Sequence, residues 1–216
     1  MPALLTAAAA LAASALTLAG SALAAPALVV NTSHLVRGSG PATIVTREDA
    51  GTYRTTILAP AAYRLPNVAS LGRRIGTASA RVTTAGGSLS FQGWITGVAP
   101  ANYVLDSCAS FAGESHQAVW LVQLRQTNGL ARAEIPIYVD AGPAGRTELT
   151  WCASPATELT VTRVALRFGR SFFNPIVAGN YTWQARFDNA ASSDRSALAA
   201  VTTSATATVH IHARKR

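Results

Sequence analysis

Gly179-Asn180-Tyr181-Thr182-Trp183-Gln184-Ala185-Arg186-Phe187 is the stretch that decides the fold class of this 216-residue chain. From position 181, the odd-numbered residues are aromatic or apolar, while the even-numbered residues from 182 are polar. This strict alternation predicts a half-buried β-strand, because successive side chains of a strand point to opposite faces of its sheet. Sustained helical periodicity is absent after residue 24, so the sequence predicts an all-β protein.

Similar short alternations recur in 52–58, 88–95 and 205–211, whereas 118–124 is apolar on both faces, which predicts a central strand covered on both sides. In 159–168 the apolar positions change from one face to the other, which predicts a β-bulge near Arg163. Pro136 cannot donate to a β-ladder, so its strand is predicted to lie at a sheet edge. Many short strands separated by turn signals predict an antiparallel β-sandwich.

Residues 1–24 are predicted to be a secretory signal peptide. They contain no charged side chain and end in Ser21-Ala22-Leu23-Ala24, the small-x-small pattern that precedes cleavage. The segment also lacks the basic residue usual near the start of a signal peptide, so a membrane anchor is the alternative. We expect cleavage before Ala25, export, and no membrane span in the mature chain, because no second long apolar run follows.

Cys108 and Cys152 are the two cysteines of the chain. In an exported protein, an even pair of cysteines predicts a disulfide. Two free thiols or a metal-binding pair are the alternatives, and the sequence lacks the CxxC or His–Cys spacing typical of zinc sites. The predicted disulfide therefore depends on the predicted export.

The segment Gly179-Asn180-Tyr181, followed by a strand, resembles the tyrosine corner that opens the penultimate strand of immunoglobulin-like domains. Tyr181 stands where the corner tyrosine would be, and Trp183 stands where antibody-type domains have their second cysteine. Cys108 followed by Trp120 is similar to the first cysteine and core tryptophan of such domains. The resemblance implies an immunoglobulin-like fold and no catalytic residue. The layout also resembles secreted bacterial β-sandwich proteins without an assigned activity.

A change of pattern near Pro100 predicts a boundary between two units. We expect a first β-sandwich unit over 27–100 and a second, immunoglobulin-like unit that contains the disulfide over 101–213. A single sandwich of this length is the alternative.

The formal net charge is +8, with 18 Lys and Arg against 10 Asp and Glu, and all but one of the basic residues are arginine. Such an excess favours contact with polyanions, although it also describes an ordinary solvated surface. The arginines are spread along the sequence, without the dense basic stripe or known module that nucleic-acid recognition needs. An anionic cell-envelope polymer, a glycan or a protein is the expected partner, and nucleic acid is not.

A search for catalytic or metal-binding patterns finds none that commits the chain to a chemistry. The Gly-x-Ser-x-Gly elbow of many hydrolases is absent, although a triad built from distant residues, such as one with His116, remains open. His210 and His212 project from one face of a predicted strand and would need a third ligand, such as His34, to bind a metal. The loop with Asp188 and Asp194 is predicted to be a turn rather than a calcium site.

The four tryptophans offer the best indication of binding. Trp120 and Trp183 lie among apolar neighbours and are predicted to be core residues. Trp94 lies on the polar face of its strand, and Trp151 faces outward if Cys152 faces inward, so both are candidate ligand contacts. Burial against a neighbouring unit is the alternative for both. We expect a secreted, non-enzymatic structural or adhesive protein without a cofactor. A carbohydrate- or polyanion-binding module and a hydrolase with an unrecognised site are the alternatives.

Overall fold

The structure of the chain, a computed structural model, describes residues 25–33, 36, 41–49, 51–67, 71–103, 108, 116–152, 160–169, 172–189 and 201–213. The predicted signal peptide, His34 and Asp194 lie outside these residues. The described part is all-β, as the sequence predicts, and contains 11 strands and no α-helix. The strands are β1 Ala27–Asn31, β2 Ala42–Arg47, β3 Thr52–Ala59, β4 Arg74–Thr84, β5 Gly87–Val98, β6 Ala118–Gln126, β7 Arg132–Ala141, β8 Thr147–Cys152, β9 Thr160–Phe168, β10 Gly179–Asn189 and β11 Val201–Ile211.

The strands form one antiparallel sheet, in the order β1-β2-β9-β4-β5-β6-β7-β8-β3-β10-β11. The first and last strands of this order also lie beside each other, so the sheet is nearly closed into a barrel. The described residues pair β1 with β2 and β11 with β10, and they show contact but no β-ladder between β1 and β11. The antiparallel all-β prediction is therefore confirmed.

Strands from both sides of Pro100 pair with each other in this sheet. Strand β9 lies between β2 and β4, and β3 lies between β8 and β10. The pattern change near Pro100 corresponds to the end of β5 and a 3₁₀ turn at Pro100–Tyr103. A turn signal marks where a strand ends but not which strands pair. The division into units 27–100 and 101–213 and the immunoglobulin-like sandwich are not confirmed.

Alternate side chains of every strand point into the closed sheet and form its core. The largest fully buried side chains are Trp120, Trp183, Tyr138, Phe168, Phe172 and Phe187. Trp120 packs edge-on against Phe168, and its Nε1 donates a hydrogen bond to the backbone oxygen of Pro66 at 3.2 Å. Trp183 packs against the rings of Tyr63 and Phe172. The prediction that Trp120 and Trp183 are core residues is therefore confirmed.

The bulge predicted near Arg163 is present. On β9, Arg163 lies opposite Arg81 of β4, whereas the next pair toward the start of β9 is Val161 with Val82. Thr162 is therefore the extra residue, which returns the apolar side chains of β9 to the interior.

The edge position predicted for Pro136 is wrong for the strand as a whole, because β7 lies between β6 and β8. The described ladder between β7 and β8 begins only at Tyr138. On the other side, Pro136 lies opposite Leu121 of β6. The proline therefore lies where β7 is paired on one side, and this position tolerates the missing N–H group.

Tyr181 forms the local hydrogen bond expected of a tyrosine corner. Its hydroxyl donates to the backbone oxygen of Val177 at 2.9 Å, four residues upstream. The ring lies edge-on to Tyr63 at 5.8 Å, so the start of β10 is attached to the aromatic core. The hydrogen bond and the ring contact hold the start of β10, and the immunoglobulin-like tyrosine corner stays a prediction.

Cys108 and Cys152 form a disulfide, with their Cα atoms 5.7 Å apart, as the sequence predicts. The bond lies on the outer face of the sheet, in a small apolar cluster with Val119 and Tyr138. Cys152 therefore faces outward, and its neighbour Trp151 faces inward with 3% of its surface exposed. The outward orientation predicted for Trp151 is wrong, because it assumed an inward-facing Cys152.

Candidate anion-binding face

Seven arginines lie on the outer face of the neighbouring strands β2, β9, β4, β6 and β7, with β5 between β4 and β6. We call this surface the basic face, and its arginines are Arg47, Arg74, Arg81, Arg125, Arg132, Arg163 and Arg167. The described outward carboxylates of the same strands are Glu134 and Asp140, and Asp140 is bonded to His116. Because these arginines point to the same side of one sheet, they share one surface although they are far apart in the sequence.

Trp94 lies within the basic face, half-buried on β5. Its Nε1 donates to Oε1 of Gln123 on β6 at 2.7 Å, and Nε2 of Gln123 donates to Oε1 of Glu134 on β7 at 2.9 Å. The neighbouring Gly93 permits this approach, because a Cβ atom there would lie 1.7 Å from the backbone oxygen of Gln123. The hydrogen bond to Gln123 on the neighbouring strand β6 therefore holds the indole ring in position.

Two guanidinium groups are placed beside the Trp94 ring. The guanidinium carbons of Arg74 and Arg125 each lie 5.7 Å from the ring centre. Cation–π attraction at this distance restrains both side chains without using their N–H donors. Neither arginine is in an ion pair with a carboxylate in the part of the chain that the structure describes. The arrangement therefore places two guanidinium groups side by side on the basic face.

A second group of arginines crosses three strands of the same face. Arg81 on β4 lies directly opposite Arg163 on β9, and Arg163 lies directly opposite Arg47 on β2. A shallow depression of about 170 Å³ lies here, lined by Arg81, Arg163, Ser79, Ser90 and Gln92. All three arginines are exposed, and the described residues provide no carboxylate partner for them.

On strands β3 and β10, away from the basic face, one arginine is paired with a carboxylate. Arg54 Nε lies 2.8 Å from Oδ2 of Asp188, and the hydroxyl of Thr202 donates to Oδ1 of the same carboxylate. Asp188 lies within β10 rather than in the predicted turn, and Asp194 of that predicted loop lies outside the described residues. Arg54 therefore differs from the arginines of the basic face, for which the described residues provide no carboxylate partner.

Glu48 is a buried carboxyl that sequence reasoning missed. It follows β2, and its Oε1 accepts a hydrogen bond from the Thr46 hydroxyl at 3.2 Å. Desolvation raises the pKa of Glu48 to about 7, although Thr55, Thr46 and Trp151 partly offset it by favouring the charged form. Of these donors, Thr46 reaches the carboxyl in good hydrogen-bond geometry, whereas the Thr55 hydroxyl and the Trp151 indole do not.

His116 is buried and paired with Asp140, as the histidine and aspartate of a catalytic triad are paired. Its Nδ1 lies 2.9 Å from Oδ2 of Asp140, and its ring packs 4.5 Å from that of Tyr138. Its Nε2 is buried and has no hydrogen-bond partner in the described structure. A catalytic triad would need a serine hydroxyl at this nitrogen, and none of the described residues donates a hydrogen bond to it. Asp140 could not be predicted as its partner from local sequence.

His210 and His212 lie together at the end of β11, with their ring centres 4.4 Å apart. The Nδ1 of His210 faces the side-chain oxygen of Asn180 on β10. Within the described residues, no group of three His, Cys, Asp or Glu side chains could hold a metal ion. The possible third ligand His34 lies outside the described residues.

Comparison with known proteins identifies no relative of this chain: no family model, curated protein or solved structure matches it. The described residues contain no helix that is long and apolar enough to cross a membrane.

Proposed function

We propose that this chain is an exported, non-enzymatic protein of the cell envelope that binds an anionic polysaccharide on its basic face, in an adhesive or structural role. The observation that carries the proposal is the position of Arg74 and Arg125 beside the Trp94 ring, where the described residues provide neither with a carboxylate partner. Trp94 then acts as the platform that orients the arginines, and its direct contact with a sugar ring stays a prediction.

Guanidinium groups suit this role because their planar N–H forks match carboxylate, sulfate and phosphate groups. A single exposed pair of this kind contributes little, since water and salt screen it. A polymer with repeated charges engages several arginines at once, and linked contacts strengthen one another through their effective concentration. A repeating polyanion is therefore a better match to this face than a small anion.

The choice of polysaccharide over nucleic acid rests on the compartment. The Cys108–Cys152 disulfide is typical of proteins in oxidising environments outside the cytoplasm. The predicted signal peptide over 1–24 points the same way. Acidic polysaccharides are polyanions that an exported protein meets there. The arginines lie on a sheet surface and not on a known nucleic-acid-binding module that inserts into a groove.

The test measures binding of the full chain to dextran sulfate and to polygalacturonate at about 0.15 M salt. The double variant Arg74→Gln/Arg125→Gln is expected to weaken both affinities by about tenfold, because it removes two charge-assisted contacts. The double variant Arg64→Gln/Arg186→Gln makes the same charge change away from the basic face and is the matched control. Equal losses in the two double variants would show that net charge, and not this site, causes binding.

A further inference from the structure

The row of Arg47, Arg163 and Arg81 places like charges directly opposite each other across β2, β9 and β4. Like charges in this position destabilise a sheet, and no carboxylate of the described residues compensates them. Sheets usually separate such side chains or pair them with acids. A bound anion would offset the repulsion between these arginines. The row lowers the stability of the unliganded sheet, so anion binding explains it better than folding does.

The depression beside this row has the lining of an oxyanion site. It has a volume of about 170 Å³ and is partly open to solvent. Arg81 and Arg163 line it from neighbouring strands, and Ser79, Ser90 and Gln92 are further lining residues with side chains that can donate hydrogen bonds. The lining contains no carboxylate that would repel an anion.

We propose that this depression binds a tetrahedral oxyanion, a sulfate or phosphate ester group carried by the polysaccharide. This inference rests on the proposed function and specifies its ligand. A carboxylate has two oxygens and is satisfied by one guanidinium fork. A sulfate or phosphate ester presents three oxygens in three directions, so it can meet both Arg81 and Arg163 and still accept a hydrogen bond from a serine. The donor set therefore exceeds what a carboxylate can use.

The distance between this depression and Trp94 indicates a polymer. Ser90 and Trp94 lie four residues apart on β5, which corresponds to about 14 Å along the strand. A free sulfate or phosphate ion fills one of these positions only. A polysaccharide with ester groups along its length can engage the depression and the Arg74–Trp94–Arg125 group together, with the gain in affinity that linked sites provide.

The experiment compares Arg81→Gln/Arg163→Gln with wild type and with Arg64→Gln/Arg186→Gln. Binding of dextran sulfate, which carries sulfate esters, is expected to weaken by about tenfold in the Arg81/Arg163 variant. Binding of polygalacturonate, which carries carboxylates, is expected to weaken no more than it does in the control variant. The thermal midpoint of the Arg81/Arg163 variant at low salt is expected to equal or exceed that of wild type, because repulsion is removed.

Three other results would overturn the inference, and they are distinguishable. Equal losses for both polymers would mean that the depression contributes charge without recognising the ester. Intact dextran sulfate binding, together with a loss in Arg74→Gln/Arg125→Gln, would reject the depression and leave the proposed function standing. Wild type that binds neither polymer, or that binds duplex DNA more tightly than dextran sulfate at equal salt, would reject the proposed function itself.

Discussion

Replacing Cys108 and Cys152 together with alanine is expected to lower the free energy of unfolding by about 4 kcal/mol. The disulfide closes a loop over a sequence separation of 44 residues, and the chain-entropy relation gives this magnitude for a loop of that size. The closed loop contains β6, β7 and most of β8, so the cross-link restricts the unfolded ensemble of three adjacent strands. In the folded state it also holds Cys108 against the outer-face cluster with Tyr138.

Urea unfolding of the double alanine variant beside wild type measures this effect. Wild type unfolded in the presence of a thiol reductant is the matched control, because it breaks the same bond without a substitution. Both samples are expected to show the same loss of stability. A loss below about 1 kcal/mol in both would contradict a stabilising role for the bond.

Replacing Glu48 with glutamine is expected to stabilise the protein by up to about 3 kcal/mol above pH 7. Burial raises the pKa of the folded carboxyl from 4.5 to about 7, so the folded state binds the proton more tightly than the unfolded state. The stabilising contribution of the protonated group is complete below pH 4.5 and is lost as the pH rises to 7. Glutamine imitates the protonated form at every pH, and the two proteins should therefore converge at pH 4.

The measurement is the unfolding free energy of wild type and Glu48→Gln at intervals from pH 4 to pH 8. Glu134→Gln removes an exposed carboxyl and is the matched control, with a difference from wild type that stays small across the range. A difference between Glu48→Gln and wild type that does not change with pH would show that the carboxyl titrates normally in the folded protein.

The strands were predictable from alternation because burial in a sheet is decided locally. Residues 181–187 and 205–211 are half-buried strands, and the bulge at Thr162 could be predicted from a change of face in the sequence. Closure of the sheet could not be predicted in this way. It depends on which distant strands pair, and β9 enters between β2 and β4 without any local signal.

Of the candidate site, the sequence could predict only what depends on a single strand. The polar side of Trp94 could be assigned from its own strand, whereas its arginine neighbours come from β4 and β6. Arginines that are dispersed in the sequence converge on one face only through the register of six strands, so their spread did not indicate a surface. The predicted outward orientation of Trp151 was wrong because the face on which Cys152 lies depends on the position of its disulfide partner Cys108.

Indole N–H resonances provide the most direct measurement of polysaccharide binding on the basic face. The chain has four tryptophans, of which Trp94 lies outward on this face while Trp120, Trp151 and Trp183 are buried in the core. A titration of ¹⁵N-labelled protein with a dextran sulfate oligosaccharide should shift one indole signal, assigned by its loss in Trp94→Phe, and leave the other three in place. Unchanged Trp94 with saturable binding, or shifts confined to the three buried indoles, would contradict the basic face as the binding site.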